Sequence, residues 1–279
     1  MSRLVIKAGE AERHYWADLW RYRELFYFLS WRDILVRYKQ TAIGIAWALI
    51  RPILTITIFT VLFGRMAKAP SDGLPFTVFV CVGNLPWQFF ATAMSEASNS
   101  LVLNSNMLSK IYFPRLIVPA SAVIVAFVDL LISFVILAVL MAWHHVMPTW
   151  RLCTLPLFIG MGLAAALAVG LWLSALNVKY RDFRYVIPFV VQFGFFVSPV
   201  GYPSYWVMDK LAEMHYGNIL QWLYLLNPMV GVIDGFRWAI GGHEPLSLSI
   251  VTSIAVIIVV GITGLQYFRR TEKTFADII

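Results

Sequence analysis

The chain has 279 residues, of which 60% are hydrophobic and 13% are charged, and its formal net charge at pH 7 is +7. A soluble globular domain carries about 25% charged residues, so this composition argues against an ordinary water-soluble fold. The two cysteines, Cys81 and Cys153, form no CxxC pair and indicate nothing about the redox compartment, so a packing role is expected for them.

The first 40 residues lack the short apolar region of a cleavable signal peptide, so membrane insertion is expected to depend on the later apolar segments. Residues 15–40 predict an amphipathic helix, because apolar side chains share one face while charged residues and two tryptophans occupy the other. This pattern is typical of a helix that lies along a lipid headgroup layer. An ordinary helix packed on protein is the alternative.

Six apolar segments follow, and each is long enough for the roughly 20 residues that a membrane-spanning helix needs. Four contain no Asp, Glu, Lys or Arg, and two contain a single charge, Arg51 or Asp129. Soluble core helices rarely run this long without charge. The predicted spans are 42–64, 74–95, 116–143, 152–178, 185–208 and 245–268.

The sequence thus predicts one all-α integral membrane domain over residues 1–279, with no internal repeat and no linker. Residues 1–41 are expected to form a cytoplasmic amphipathic segment, 42–268 the six-span core and 269–279 a cytoplasmic tail.

Lys and Arg are distributed unevenly between the two sides of this arrangement. Sixteen of the 22 lie in the N-terminal segment, the second and fourth loops and the C-terminal tail; five lie in the other loops, and Arg51 lies within a span. Cytoplasmic loops carry an excess of Lys and Arg, so both termini are predicted to be cytoplasmic. The net positive charge is then expected to face anionic membrane lipids and not nucleic acid.

Two cytoplasmic loops contain informative patterns. Residues 101–115 predict a short helix that ends at Pro114, because the residue before a proline is pushed out of the helical region. This loop is a candidate contact for a partner. The sequence KYRDFR, residues 179–184, places four charges in six residues and predicts a solvated turn between the fourth and fifth spans.

The region 201–246 is external in this topology, yet it is apolar. It contains two apolar pieces of about ten residues, broken at Asn227-Pro228 and ended at Gly241-Gly242. Ten helical residues rise about 15 Å, half the hydrocarbon core, which predicts a re-entrant helix pair. Asp234 and Arg237, three residues apart, are expected to neutralise each other. A loosely packed external helix pair is the alternative.

Asp129 lies near the middle of the third predicted span. Insertion of a charge at such a depth costs about 2.5–3.5 kcal/mol, so the side chain is expected to face protein or water. It could form an ion or proton site, or a structural hydrogen bond between helices. The sequence favours the structural role, because no second acid or lysine is found at matching depth.

The sequence contains no GxxxxGK[ST], HExxH or GxSxG motif, so neither ATP hydrolysis nor a cofactor is expected in this chain. A six-span protein without such chemistry suggests transport driven by something else. A secondary transporter would need an ion site at the bilayer midplane, and a membrane enzyme would need converging His or carboxylate groups. These are the two alternative functions.

Four stretches, in chain order, resemble the ABC-2 type polysaccharide export permeases, the membrane subunits that export O-antigen, capsular polysaccharide and teichoic acid. They are RDILVRYKQTAIGIAWALIRP (32–52), LPWQFFATAMSEASNSLVLNSNMLSKIYFPR (85–115), NVKYRDFRYVIPFVVQFGFFVSPVGYP (177–203) and LNPMVGVIDGFRWAIGG (226–242). The resemblance covers roughly residues 15–270. RYKQT and SPVGYP look more like the O-antigen and teichoic-acid branch than the capsule branch.

The resemblance implies a homodimer of six-span subunits in the bacterial inner membrane that exports a lipid-linked polysaccharide, most similar to O-antigen exporters. A separate cytoplasmic ABC ATPase subunit would bind ATP and Mg²⁺. The family's contacts with that subunit map onto Arg37, Tyr38, Lys39, Asn106, Lys110, Tyr112 and Phe113.

The resemblance also implies an outer gate formed by the fifth span and the re-entrant pair, and a second gate at the cytoplasmic KYRDFR turn. The outer gate maps onto Pro199, Tyr202, Pro203, Asn227, Pro228, Asp234 and Arg237, and the cytoplasmic one onto Arg181 and Asp182. Aromatic side chains are expected to line the channel, because the C–H faces of sugar rings stack on them. The candidates are Trp87, Phe90, Phe196, Tyr202 and Tyr205; their alternative role is contact with lipid.

Overall fold

The computed structural model describes residues 15–39, 44–66, 68–241 and 248–275, without the side chains of 44–48, and every regular element in these ranges is helical. The α-helices are α1 (Tyr15–Arg21), α2 (Arg23–Lys39), α3 (Gly44–Phe59), α4 (Phe76–Leu103), α5 (Ser105–Leu108), α6 (Ile117–Trp143), α7 (Leu155–Lys179), α8 (Phe183–Val197), α9 (Ser204–Ala212), α10 (Gly217–Leu225), α11 (Pro228–Ile240) and α12 (Leu248–Thr271). A π-helical turn, Thr60–Met66, extends α3, and 3₁₀ turns at Trp150–Thr154 and Glu272–Thr274 flank α7 and α12.

Five described helices are long and apolar enough to cross a membrane: Leu49–Met66, Phe76–Leu103, Ile117–Trp143, Trp150–Lys179 and Leu248–Thr274. They correspond to the first four predicted spans and the sixth, and the predicted all-α membrane fold is confirmed. The second is longer than predicted, because α4 continues to Leu103 and includes Glu96 within the helix. Predicted span residues 42, 43 and 245–247 lie outside the described residues, as do 1–14 and 276–279. The division into 1–41, 42–268 and 269–279 stays a prediction.

The long helices share two ends. We call the outer end the one where α4, α7 and α12 begin, and the inner end the one where they finish. The central helix is α4, which is largely buried and packs against α6, α7 and α11. Its apolar residues form the main core together with residues of α6, α7 and α11. A second group of buried residues, the inner cluster, joins α2, the loop after α5 and the end of α12 through Leu29, Phe113, Phe268 and Phe275.

The predicted N-terminal amphipathic helix is present as α1 and α2, separated at Tyr22. On one side α2 packs against α6 and buries Leu29 in the inner cluster. On the other side it exposes aromatic side chains, including Phe28 and Trp31. The helix therefore packs on protein along one side and presents aromatic rings along the other.

The predicted helix in 101–115 is shorter than expected, because α5 ends at Leu108, well before Pro114. The residues after α5 form a loop instead. Phe113 and Pro114 are buried, and Phe113 belongs to the inner cluster, so side-chain burial rather than a helix holds this loop in place.

The fifth predicted span, 185–208, is not one helix, because α8 ends at Val197 and residues 204–208 belong to α9. Pro199 and Pro203 follow α8, and a proline inside a helix removes a hydrogen bond and clashes with the preceding turn. The 15 residues of α8 span only about 22 Å. A non-helical turn, Ser198–Pro203, continues beside α4, where a Cβ on Gly83 would lie 2.7 Å from the carbonyl oxygen of Val200.

The predicted break at Asn227-Pro228 is confirmed, since α10 and α11 meet there at an angle of 74°. Asn227 caps α11 by accepting a 3.0 Å hydrogen bond from the amide of Met229, and Pro228 occupies the first helical position. The helix ends at Gly241, whose φ of 134° favours glycine; Gly242 lies outside the described residues.

The alternative of a loosely packed external pair is wrong for α11, because 10 of its 13 residues are buried. Its neighbours lie in the first turns of the long helices: Phe158 of α7 beside Gly235, and Ser249 and Ser253 of α12 beside Gly231. The helix therefore occupies the outer part of the bundle without crossing it, as in a re-entrant pair.

Candidate functional site

One face of α4 borders two cavities. An upper cavity of about 340 Å³ lies between α3, α4 and α8, and a lower cavity of about 350 Å³ lies between α4 and the first turn of α8. The α4 face consists of Gln88, Ala91, Ser95, Asn99 and Leu103. These residues are three or four positions apart and so share one side of the helix. They extend over about 22 Å, so the cavities form one line along α4.

The upper cavity combines aromatic rings with side-chain amides. It is lined by Thr55, Ile58, Phe59, Trp87, Gln88, Ala91, Val191, Gln192, Phe195 and Phe196. Phe195 makes an edge contact with Phe59, their ring centroids 5.2 Å apart. The amides of Gln88 and Gln192 have no hydrogen-bond partner in the described part of the chain. Such a wall can stack on apolar faces and bond hydroxyl groups at the same time.

The lower cavity is more polar. It is lined by Ser95, Glu96, Asn99, Val102, Leu103 and Arg184. Arg184 is exposed, and its side chain forms no ion pair or hydrogen bond with any residue that the structure describes. Glu96 is paired with Arg37 of α2 at 3.2 Å between Oε1 and Nη1. The path along α4 thus changes from aromatic rings and amides to charged groups towards the inner end.

Arg37 also reaches the half-buried acid of α6. Its Nη2 lies 2.7 Å from Oδ2 of Asp129, whose Oδ1 accepts a hydrogen bond from the hydroxyl of Tyr38. Only 18% of the Asp129 side chain is exposed. We call Arg37, Tyr38, Glu96 and Asp129 the Arg37 bridge. These contacts are the ones expected if Asp129 forms a structural bond between helices and not an ion or proton site.

The outer turn Ser198–Pro203 is fastened to α11. Arg237 donates to the carbonyl oxygens of Val200 and Tyr202, at 3.0 Å each, and its guanidinium lies 3.8 Å from the centroid of the Phe79 ring. Asn227 donates to the hydroxyl of Ser198 at 2.9 Å. Arg237 is 5% exposed, and these contacts satisfy the two terminal nitrogens of its buried guanidinium, whereas its Nε has no hydrogen-bond partner in the described part of the chain.

Asp234 and Arg237 attract each other electrostatically, as the sequence predicts, but no direct ion pair joins them among the described residues. Asp234 instead accepts hydrogen bonds from Ser204 at 2.8 Å and Ser249 at 2.6 Å. Arg237 instead donates to backbone carbonyl oxygens of the outer turn. The two charges therefore connect α11 to different elements.

Comparison with known proteins identifies the family. The family described as "ABC-2 type transporter" matches residues 24–240, most of the chain. The chain belongs to the ABC-2 type transporter family. This confirms the family that the sequence resembles and makes the chain a multi-pass transport component.

Relatives of this family member are similar over nearly their whole length. "O-antigen export system permease protein RfbA" of Myxococcus xanthus is 26% identical over 94% of this chain and 98% of its own length. The protein of that name from Klebsiella pneumoniae is 24% identical over 92% and 95%. "Polysialic acid transport protein KpsM" of Escherichia coli is 22% identical over 87% and 91%.

The predicted channel aromatics of this ABC-2 protein fall into two groups. Trp87 and Phe196 line the upper cavity, and Phe90 packs behind Trp87 with ring centroids 5.6 Å apart. Tyr202 and Tyr205 lie outside both cavities; the Tyr202 hydroxyl donates to the carbonyl of Phe196 at 2.6 Å. A role in binding substrate stays a prediction for all five.

The predicted ATPase contacts also differ in exposure. Lys39, Asn106, Lys110 and Tyr112 are exposed, whereas Arg37 and Tyr38 contact Asp129 and Phe113 is 4% exposed. Arg181 and Asp182 are exposed in the turn between α7 and α8. Contact with an ATPase and the role of the turn as a gate remain predictions.

Sequence reasoning missed the two amides, the Phe59 and Phe195 rings and the polar residues of the α4 face. The spacing of Gln88, Ser95 and Asn99 by three- and four-residue steps was a usable signal for one helix face. No signal in the sequence indicates that α3 and α8 lie against that face.

Proposed function

We propose that this chain is the permease subunit of an ABC transporter that exports lipid-linked polysaccharide, most closely O-antigen, across the cytoplasmic membrane. The relatives named for O-antigen export are similar over nearly the entire chain. The structural observation that carries the proposal is the line of two cavities along α4, which changes from aromatic rings and amides to charged groups.

The lining of the upper cavity fits a carbohydrate. Sugar rings present C–H faces that stack on the rings of Trp87 and Phe196, and their hydroxyl groups can bond the amides of Gln88 and Gln192. Each such contact is weak. A series of weak sites lets a polymer move from one to the next, because no single site holds it strongly.

Two copies of the chain and a separate motor complete the proposed transporter. The sides of α3 and α8 next to the upper cavity expose large apolar side chains, among them Ile58 and Phe193, which a second copy could cover. The inner end would face the bacterial cytoplasm, with both termini. There Lys39, Asn106, Lys110 and Tyr112 would contact an ABC ATPase subunit that binds ATP and Mg²⁺.

The ion-coupled secondary transporter receives no support. Asp129, its candidate ion site, is occupied by Arg37 and Tyr38. None of the named relatives is described as ion-coupled.

Removal of one ring from the upper cavity tests the proposal. Phe196→Ala should lower export of lipid-linked O-antigen about threefold to tenfold, the value of one aromatic contact. Export is measured in proteoliposomes that contain the chain and its ATPase subunit. Phe28→Ala is the matched control, because both rings are 63% exposed and Phe28 lines neither cavity. Equal export by the two variants would show that the upper cavity is not part of the substrate path.

A further inference from the structure

A third cavity lies at the inner end, separate from the α4 face. It has a volume of about 210 Å³ and forms where α1, the loop before α6 and the segment after α12 meet. Its lining residues are Tyr15, Asp18, Tyr112, Phe113, Pro114, Arg115, Glu272 and Lys273. We call it the inner-end cavity.

The walls of the inner-end cavity are held by contacts between distant parts of the chain. The Tyr15 hydroxyl donates to Oε2 of Glu272 at 3.2 Å, and the guanidinium of Arg269 lies 4.4 Å from the centroid of the Tyr15 ring. Arg115 donates to the carbonyl oxygen of Glu272 and lies over the ring of Phe275, 5.8 Å from its centroid. These contacts fix the walls of the inner-end cavity, which is therefore a defined part of the fold.

Not all charged groups around this cavity have a hydrogen-bond or ion-pair partner in the described part of the chain. Both cations have partners. Arg115 binds the segment after α12, and Lys273 interacts with another group of the chain. The carboxylate of Asp18, which is half-buried, has no hydrogen bond or ion pair with any described residue. Tyr112 lines the same cavity as the carboxylates Asp18 and Glu272, and burial together with these carboxylates raises the pKa of Tyr112.

Size and chemistry narrow the choice of ligand. Small-molecule pockets measure about 300–1,000 Å³, so a cavity of about 210 Å³ is suited to one side chain. Aromatic faces attract cations, and a carboxylate among them adds a charged hydrogen bond. Tyr112 on the wall is 53% exposed, so its ring can be reached from outside the chain. A guanidinium matches both features, since it is planar, charged and able to bind a carboxylate.

We propose that the inner-end cavity receives an arginine side chain of the ATPase subunit, which would bind the Asp18 carboxylate against the Tyr112 ring. This inference rests on the proposed function. It adds α1 and the segment after α12 to the docking surface, beside the loop that the family resemblance assigns.

The affinity of the purified ATPase subunit for the chain in detergent tests the inference. Asp18→Asn should raise the Kd about tenfold, the value of one hydrogen bond to a charged group. Tyr112→Ala should raise it severalfold, whereas Tyr112→Phe, which keeps the ring, should leave it unchanged. Glu24→Gln is the matched control, because Glu24 is an exposed carboxylate of the next helix that does not line the cavity.

A charge exchange identifies the partner group. Asp18→Lys should abolish binding, and one Arg→Glu substitution on the ATPase should restore it.

If Glu24→Gln weakens binding as much as Asp18→Asn, nonspecific electrostatic attraction explains the effect and the inference is wrong. Equal binding by every variant also overturns it but leaves the proposed function standing, whereas an ATPase that fails to bind the unaltered chain contradicts the proposed function. Should Asp18→Asn not fold, the two Tyr112 variants decide.

Discussion

Arg37 places one guanidinium between carboxylates of two different helices. Asp129 lies twelve residues into α6, about 18 Å from its inner end, where a lone carboxylate would be costly. Arg37 and Tyr38 offset this cost with an ion pair and a hydrogen bond. Glu96, the other carboxylate, lines the lower cavity. The same guanidinium therefore fastens α2 and balances a charge on the path along α4.

Arg37→Gln should destabilise the protein, because it leaves the half-buried Asp129 without its cation. Loss of one member of a fully buried pair costs about 3–5 kcal/mol; 31% of the Arg37 side chain is exposed, so we expect about 1–3 kcal/mol.

Thermal unfolding in detergent, followed by tryptophan fluorescence, measures this effect. Lys210→Gln is the control, since the Lys210–Glu213 pair is exposed and should contribute little. Adding Asp129→Asn to Arg37→Gln should recover part of the loss. Equal Tm values for Arg37→Gln and Lys210→Gln would contradict this role of the Arg37 bridge.

At the scale of elements, α8 and α11 depend on their neighbours more than the long helices do. The 15 and 13 residues of these helices are near the length at which an isolated helix is marginal. Arg237 and Asn227 connect the end of α8 to α11 through the outer turn. In the same region, α11 packs backbone to backbone against α12 at Gly231. These elements should therefore move together if the outer end opens.

Gly231→Ala should weaken the contact between α11 and α12. The added Cβ would lie 2.3 Å from the carbonyl oxygen of Ser249, and overpacking of this kind costs about 1–3 kcal/mol. Gly160→Ala is the opposite case, because nothing lies within 4 Å of the new Cβ and alanine favours a helix. We expect a lower Tm for the first variant and an unchanged or higher one for the second. The same sign for both would argue against close packing at Gly231.

At the scale of the molecule, the two ends have different constructions. The inner end gathers α1, α2, the loop before α6 and the segment after α12 around the inner cluster and the inner-end cavity. The outer end is built from the bent pair α10–α11 and the turn that it holds. A motor at the inner end and a movable closure at the outer end would suit this division.

The native cysteines allow the orientation to be tested. Cys153 is exposed at the outer end and Cys81 is buried. A membrane-impermeant maleimide should therefore label intact spheroplasts at Cys153 only, and Cys153→Ser should abolish the labelling.

In the Cys153→Ser background, Lys110→Cys places a thiol in the exposed loop at the inner end. It should react only after the membrane is permeabilised. Labelling of Cys153 that requires permeabilisation would place the outer end in the cytoplasm and contradict the proposed topology.

Local patterns in the sequence were sufficient for the long helices, the break at Asn227-Pro228 and the unusual position of Asp129. Membrane insertion depends on the length and polarity of one segment at a time, and a helix cap depends on a few adjacent residues. These properties can therefore be read without knowing what a segment packs against. The early end of α8 could also have been predicted, since Pro199 and Pro203 are plain in the sequence.

Only the tertiary structure decided which side chains share a cavity and which charges pair. Spacing correctly put Asp234 and Arg237 on one helix face, but serines and backbone carbonyls from other elements became their partners. Asp129 pairs with Arg37 and Tyr38, about 90 residues away in the chain, and Gln88 and Gln192, on two different helices, line one cavity. Such pairings depend on how helices pack, and that information is spread over the whole chain rather than contained in any one segment.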